Sequence, residues 1–337
     1  MSIKVKIAMS SAYLPSQIFN NDAIVSKIIS TQNELIKPLL SGETLERLFG
    51  SKERRFAEVN EQVSDLAAKA ALPIAEKYGR ENIDCLIFSA ACADVIEPAT
   101  SNIIQAKLGL NCPAFDVKNA CNSFITAIQV GSSLIQSGQY KKVLIANGEK
   151  LQDAIQFDIN DSSDLRKYLA GFTLGDAGAA LLLEKSDDNS GIIYQKFKTK
   201  GKYWDLCTVP GGGSLHPHTS DFNYFEGKTS ELQAAFLSEF GDIFNTAFAE
   251  TGWKANEIKY FFMHQVSLST FDTVAKYCNL PRERFIHSFE KYGNIAAATI
   301  PVNLAEMHAA GKIQKGDKIM FIGIAAGISI GVQMITW

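Results

Sequence analysis

From Ile319 to Trp337 the chain runs for 19 residues without a single charge. A stretch of that length must be buried, and only a bilayer or a protein core can bury it. Gly323, Gly327 and Gly331 repeat the small-xxx-small spacing of packed membrane helices. Three glycines together with Ser329 and Gln333 nevertheless make a poor spanning helix. IMFIGIAA and ISIGVQMIT read better as two short, β-branched runs. The expectation is a buried strand pair joined by a glycine turn, and no membrane span. The N-terminal MSIKVKIAMSS lacks a long apolar signal region, so a cytoplasmic location is expected, which also suits unpaired cysteines.

If the tail is core, the rest of the chain must supply a sheet around it. Its 337 residues suggest two domains at about 150 residues each. CLIFSAAC (85–92) reads as a buried strand, Thr100 to Leu108 as a helix, AFDV (114–117) as a strand, and Ser123 to Gln136 as an amphipathic helix. KVLIANG (142–148) is a strand, and GAALLLE (178–184) and GIIYQKF (191–197) read as neighbouring strands. After a looped region, 200–228, the rhythm returns. Thr229 to Thr251 is a helix, KYFFMH (259–264) a strand, and a helix follows with a capping-box start at Ser269-x-x-Asp272. Thr299 to Ala310 is a helix with Pro301 in its first turn and Gly311 at its stop, before the final strand pair. The order strand–helix–strand–helix–strand–strand thus occurs twice, which predicts an α/β fold of two similar halves, 1–188 and 189–337.

A net charge of -3 offers no electrostatic footprint for nucleic acid. Cysteines at 85, 92, 112, 121, 207 and 278 show neither CxxC nor HExxH company, so no metal and no cofactor is expected. Gly227-Lys228-Thr229 lacks the earlier glycine of a phosphate loop, because position 222 is Phe. GFTLGDAG (171–178) precedes a strand rather than a helix, against a dinucleotide fingerprint.

Cys121 stands apart from the other five cysteines, which read as structural. It lies between a short strand and an amphipathic helix in DVKNACNSF, where the helix terminus favours thiolate and lowers the thiol pKa. Cys85 and Cys92 read as strand core. His264 closes the apolar run YFFM, at the strand edge where α/β proteins hold ligands. His216, His218 and His308 read as solvent-facing. Asn294, in KYGNIAAATIP, follows a glycine and precedes a helix.

Cysteine, histidine and asparagine at strand edges of duplicated halves resemble β-ketoacyl-ACP synthase III and its relatives in the thiolase superfamily. The resemblance spans nearly the whole chain through GSKERRF (50–56), DVKNACNSF, TLGDAGAALLLE, MHQVS, YGNIAAATIP and GIAAGISIG. It implies a thiolase-like, layered α-β-α-β-α fold and a homodimeric acyltransferase acting on acyl-CoA or acyl carrier protein thioesters. It further implies that Cys121 carries the acyl group, that the Cys121 and Gly327 N–H groups form an oxyanion hole, and that His264 and Asn294 bind the second thioester's carbonyl during a Claisen condensation.

The sequence also departs from the family pattern. Thr44 and Leu48 stand where acetyl-CoA-primed members carry an aromatic residue and an arginine, Ser267 replaces the Asn of the His-Gln motif, and the following helix offers carrier protein only Lys276. Glu97, before Pro98, occupies a position that is apolar in typical members and Glu in relatives joining two acyl thioesters head to head. There it implies a base for α-proton removal without a malonyl donor; the alternative is an exposed carboxylate at a dimer interface. A degradative thiolase would need a further C-terminal cysteine, and none follows Cys278. The remaining alternative is an inactive partner subunit of a condensing-enzyme heterodimer.

Overall fold

A computed structural model of the chain describes residues 3–29, 39–188, 190–218 and 222–337. Ten strands form two five-stranded sheets. The first sheet holds β1 (Val5–Tyr13), β2 (Cys85–Ser89), β3 (Ala114–Val117), β4 (Lys142–Glu149) and β5 (Ala177–Lys185) in the order β1-β5-β4-β2-β3. The second holds β6 (Gly191–Thr199), β7 (Tyr260–Met263), β8 (Phe285–Ile286), β9 (Lys318–Ala325) and β10 (Ser329–Thr336) in the order β6-β10-β9-β7-β8. In both sheets the first two pairings are antiparallel and the last two parallel, so the topology is duplicated strand for strand.

Six helices complete the plan: α1 (Val63–Tyr78), α2 (Thr100–Leu108) and α3 (Ser123–Gln136), then α4 (Thr229–Thr251), α5 (Leu268–Tyr277) and α6 (Thr299–Ala309). Alternation along the strands decides which face each helix covers. On β4, Val143 and Ile145 join a core with Phe124, Ile128 and Ile135 of α3. Leu144 and Ala146 point the other way, into a core with α1 and α2. The α3 core continues through Ile300 and Leu304 of α6 to Phe262, Ile319 and Phe321 of the second sheet, while α4 and α5 cover that sheet's outer face. The layers are therefore α1/α2, sheet, α3/α6, sheet, α4/α5. Two turns that precede middle-layer helices consequently meet near the centre.

The uncharged tail forms β9 and β10, antiparallel and almost wholly buried, with Gly323 directly opposite Gly331. Their spacing serves α3 rather than a membrane. A Cβ on Gly323 would stand 2.1 Å from Asn122 Oδ1, and one on Gly331 2.7 Å from Ile125 Cδ1. Among the described residues no helix is long and apolar enough to cross a membrane.

Several local expectations are corrected. β2 ends at Ser89, so Cys92 lies in the loop beyond it and not in strand core. β5 and β6 follow each other in sequence but belong to different sheets. The cap of α5 is Ser267, which accepts from the Thr270 N–H at 3.3 Å, so the Ser269-x-x-Asp272 box does not start this helix. His308 is half-buried, 3.1 Å from Ser10 Oγ and edge-on to Trp337, and His216 stacks on Phe222. Within the region expected to loop, Cys207–Thr208 pairs with Glu226–Gly227, while 219–221 lie outside the described residues.

Candidate active site

The turn into α3 is shaped before Cys121 is reached. Ala120 takes a left-handed φ of 46° between β3 and α3, and the Asn119 N–H donates to Ser123 Oγ at 2.8 Å. Asn122 follows, and its Nδ2 donates to the Ser329 carbonyl at 2.9 Å, tying this turn to the start of β10. Gly327 lies in the β9–β10 turn at φ 121°, and that turn is held by reciprocal bonds between Ile328 and Lys200. No backbone partner for the Gly327 N–H is found among the described residues.

Cys121 sits one residue outside the Asn122 cap of α3. Burial, with Cys207 and Glu149 adding to it, pushes its thiol pKa above the ordinary value. The expected lowering by the helix terminus is thus corrected. Desolvation outweighs a terminus whose free N–H groups begin beyond the thiol.

His264 is buried at the end of β7, and burial lowers its pKa to about 4. Its Nδ1 lies 3.2 Å from the Ala296 carbonyl. A carbonyl only accepts, so the ring proton is on Nδ1 and Nε2 keeps its lone pair. Asn294 is buried as well. Its Oδ1 accepts from the Ala296 N–H at 3.0 Å, which fixes the amide and leaves Nδ2 as the available donor.

The Asn294 turn is pressed onto the Gly175-Asp176 segment of the first half. Asn294 N–H donates to the Thr173 carbonyl at 2.8 Å, and Gly175 N–H donates to Asn294 at 3.0 Å. A Cβ on Gly293, at φ 63°, would stand 2.1 Å from the Thr173 oxygen, and one on Gly175 would stand 2.4 Å from that of Tyr292. Only glycine allows this approach. Beneath it Arg54 is fully buried, donating to Asn21 Oδ1 at 2.7 Å and to the Phe172 carbonyl at 2.8 Å. Asp176 accepts from the Ala57, Leu151 and Gln152 N–H groups, and burial raises its pKa to about 6.

Cys121, His264 and Asn294 line one cavity of about 1380 Å³. Its wall also includes Gly211 to Gly213, Leu232, Phe236 and Phe240 of α4, and Thr273 of α5. Ile96 and Pro98 line the cavity, whereas the exposed Glu97 between them does not. Gly327 is not among the lining residues, although Ala325 and Ala326 are.

Sequence reasoning missed three groups. Cys92 and Cys207 line the same cavity, so neither is remote from the chemistry. Glu149 closes the apolar strand KVLIANGE as His264 closes YFFM, a signal that could have singled it out.

Comparison with known proteins gives the same picture at family level. The family described as 3-Oxoacyl-[acyl-carrier-protein (ACP)] synthase III matches residues 115–201, and its C-terminal part matches 248–337. A Beta-ketoacyl-[acyl-carrier-protein] synthase III of Rickettsia canadensis is 30% identical over 335 residues, covering 98% of this chain and 99% of its own. The Fusobacterium nucleatum enzyme of that name is 29% identical over 333 residues, 96% of each chain. Among solved structures, 3-oxoacyl-[acyl-carrier-protein] synthase III of Aquifex aeolicus superposes with a TM-score of 0.85 at 26% identity, covering 99% and 100% of the chains. OleA of Xanthomonas campestris, solved with lauric acid and lauroyl-CoA, superposes with a TM-score of 0.88 over all of both chains at 24% identity, a likeness of fold. The five-layer architecture is therefore the thiolase-like fold expected from the sequence.

Proposed function

The chain belongs to the 3-oxoacyl-[acyl-carrier-protein] synthase III family, and from that premise we propose that Cys121, His264 and Asn294 carry out a Claisen condensation through an acyl-Cys121 intermediate. The protein is an acyltransferase of the condensing type, acting on acyl thioesters. One observation carries the assignment of roles: a thiol, an imidazole and a carboxamide from three separate turns line one cavity.

The resting pair is a neutral thiol and a neutral imidazole, so His264 Nε2 acts as general base while Cys121 attacks the first thioester. The N–H groups of Cys121 and Gly327 are the donors for the tetrahedral oxyanion. The first thiolate departs and takes a proton from solvent. Nε2, now protonated, and Asn294 Nδ2 donate to the second thioester's carbonyl and stabilise the enolate left when its α-carbon loses carbon dioxide from a malonyl donor or, in the head-to-head variant, a proton to Glu97, which passes it to solvent. The enolate carbon attacks acyl-Cys121, the new carbon–carbon bond forms, and the departing Cys121 thiolate regains its proton from His264. The cavity exceeds the roughly 300–1,000 Å³ of common ligand pockets, which supports two acyl thioesters meeting inside it.

The same reading takes 1–188 and 189–337 as the two units, CoA and carrier protein as the thioester carriers, and a homodimer as the working state. Glu97 favours the head-to-head variant of the reaction. It is exposed beside Ile96, itself 83% exposed, on a loop suited to entering a partner's cavity, where Glu97 would remove the α-proton. Six free cysteines support a cytoplasmic location.

Intact-mass analysis after incubation with acetyl-, octanoyl- and myristoyl-CoA and the corresponding acyl carrier proteins tests the assignment. The expected result is one acyl increment that disappears in Cys121→Ala; no adduct from any thioester overturns it. Product formed without a malonyl donor, and lost in Glu97→Ala, is expected of the head-to-head variant. Strict malonyl dependence with release of carbon dioxide would overturn that variant alone.

A further inference from the structure

Glu149 is fully buried at the end of β4, yet nothing in the proposed reaction uses it. Its Oε1 accepts two backbone N–H groups from different halves of the molecule. One is Ala91, in the loop after β2, at 2.9 Å; the other is Ala297, at 3.3 Å. Ala297 lies in the turn that carries Asn294 and meets His264. Within that turn Asn294 Oδ1 holds the Ala296 N–H, and the Ala296 carbonyl holds His264 Nδ1. One carboxylate oxygen therefore grips the 294–297 turn from below, while His264 and Asn294 are both oriented by its middle residue. Oε2 is completely buried, and the Cys92 and Asn147 side chains lie close enough to act on the carboxylate.

We propose that Glu149 is the positioning residue of this site: through Ala297 it fixes the turn that aims His264 Nε2 and Asn294 Nδ2 at the second thioester. This inference rests on the condensation reading above. The groups facing Glu149 are the Cys92 thiol in the loop after β2, Asn147 on its own strand and the Cys121 thiol beyond. Asp176 acts on Cys92 from the loop before β5. Among the described residues no lysine, arginine or histidine pairs with Glu149, and burial raises its pKa to about 7. Its negative charge also holds the Cys121 thiol pKa up. Neutralising it should therefore push two properties in opposite directions.

The test is Glu149→Leu in the full-length protein, with Glu149→Asp as a second variant. The donor is whichever of acetyl-, octanoyl- or myristoyl-CoA labels the wild type best, and that wild-type labelling separately establishes the acyl-Cys121 reading. The Leu variant, which loses both the acceptor and the charge, is expected to form acyl-Cys121 within about threefold of wild type while condensation falls at least tenfold. Iodoacetamide alkylation of its Cys121 should shift to lower pH, a change a merely structural role would not produce. The Asp variant, which keeps the charge but retracts it, should lose condensation without that alkylation shift, and it carries the test if Leu does not fold. Condensation within twofold of wild type in the folded variants, or acylation and condensation falling together with alkylation unmoved, overturns the proposal. Absence of acylation in the wild type would instead overturn the reading beneath it.

Discussion

The two halves share a strand order, a helix order and a pattern of parallel and antiparallel pairing, yet they contribute different chemistry. The turn from β3 into α3 carries Cys121; its counterpart from β8 into α6 carries Asn294. The end of β7 carries His264, whereas the end of β2 leads through Ala90 into the exposed loop holding Glu97. Because α3 and α6 lie side by side between the sheets, equivalent turns face one cavity. The duplication supplies positions, and divergence of single residues at those positions supplies a thiol on one side and an imidazole with a carboxamide on the other.

Removing the nucleophile breaks the comparison most completely. Cys121→Ala is expected to lower turnover by about 10⁴-fold or more and to abolish acylation, measured by product formation and intact mass. Substituting the residue beneath both halves is next. Arg54→Met leaves Asn21 Oδ1 and the Phe172 carbonyl without their charged donor. It is expected to cost about 3 kcal/mol in urea denaturation, with the Asn294 turn loosened as well. An unchanged midpoint would show that the fold does not depend on these buried bonds.

The smallest effect sharpens the nucleophile's side alone. With the Cys121 thiol pKa raised, the thiolate fraction below that pKa grows tenfold for each pH unit. Iodoacetamide alkylation should therefore rise with a slope of about one in log rate across neutral and mildly alkaline pH. A plateau already reached near neutrality would mean that the helix terminus wins over burial.

Much of this was legible in the sequence because it is periodic. The ranges of α2, β3, α3 and α4 follow their apolar spacing, and the uncharged tail is the buried pair β9–β10. What was hidden depends on contacts between distant segments. The raised Cys121 thiol reflects burial, with Cys207 and Glu149 adding to it, and neither of these is close to it in sequence. Glu149 binds Ala91 and Ala297, 58 and 148 positions away. Ser267 rather than Ser269 caps α5, by accepting from the Thr270 N–H, and the Ser269-x-x-Asp272 spacing does not record that geometry.

The division of labour between the halves is tested most directly by quenching an Asn294→Ala reaction and weighing the intact protein. Asn294 lies in the second half and, in the proposed reaction, takes no part in the first acyl transfer. The expected result is acyl-Cys121 accumulating toward one group per chain, with condensation slowed by about 10²–10³-fold. An Asn294→Ala protein as free of acyl groups as Cys121→Ala would contradict the account.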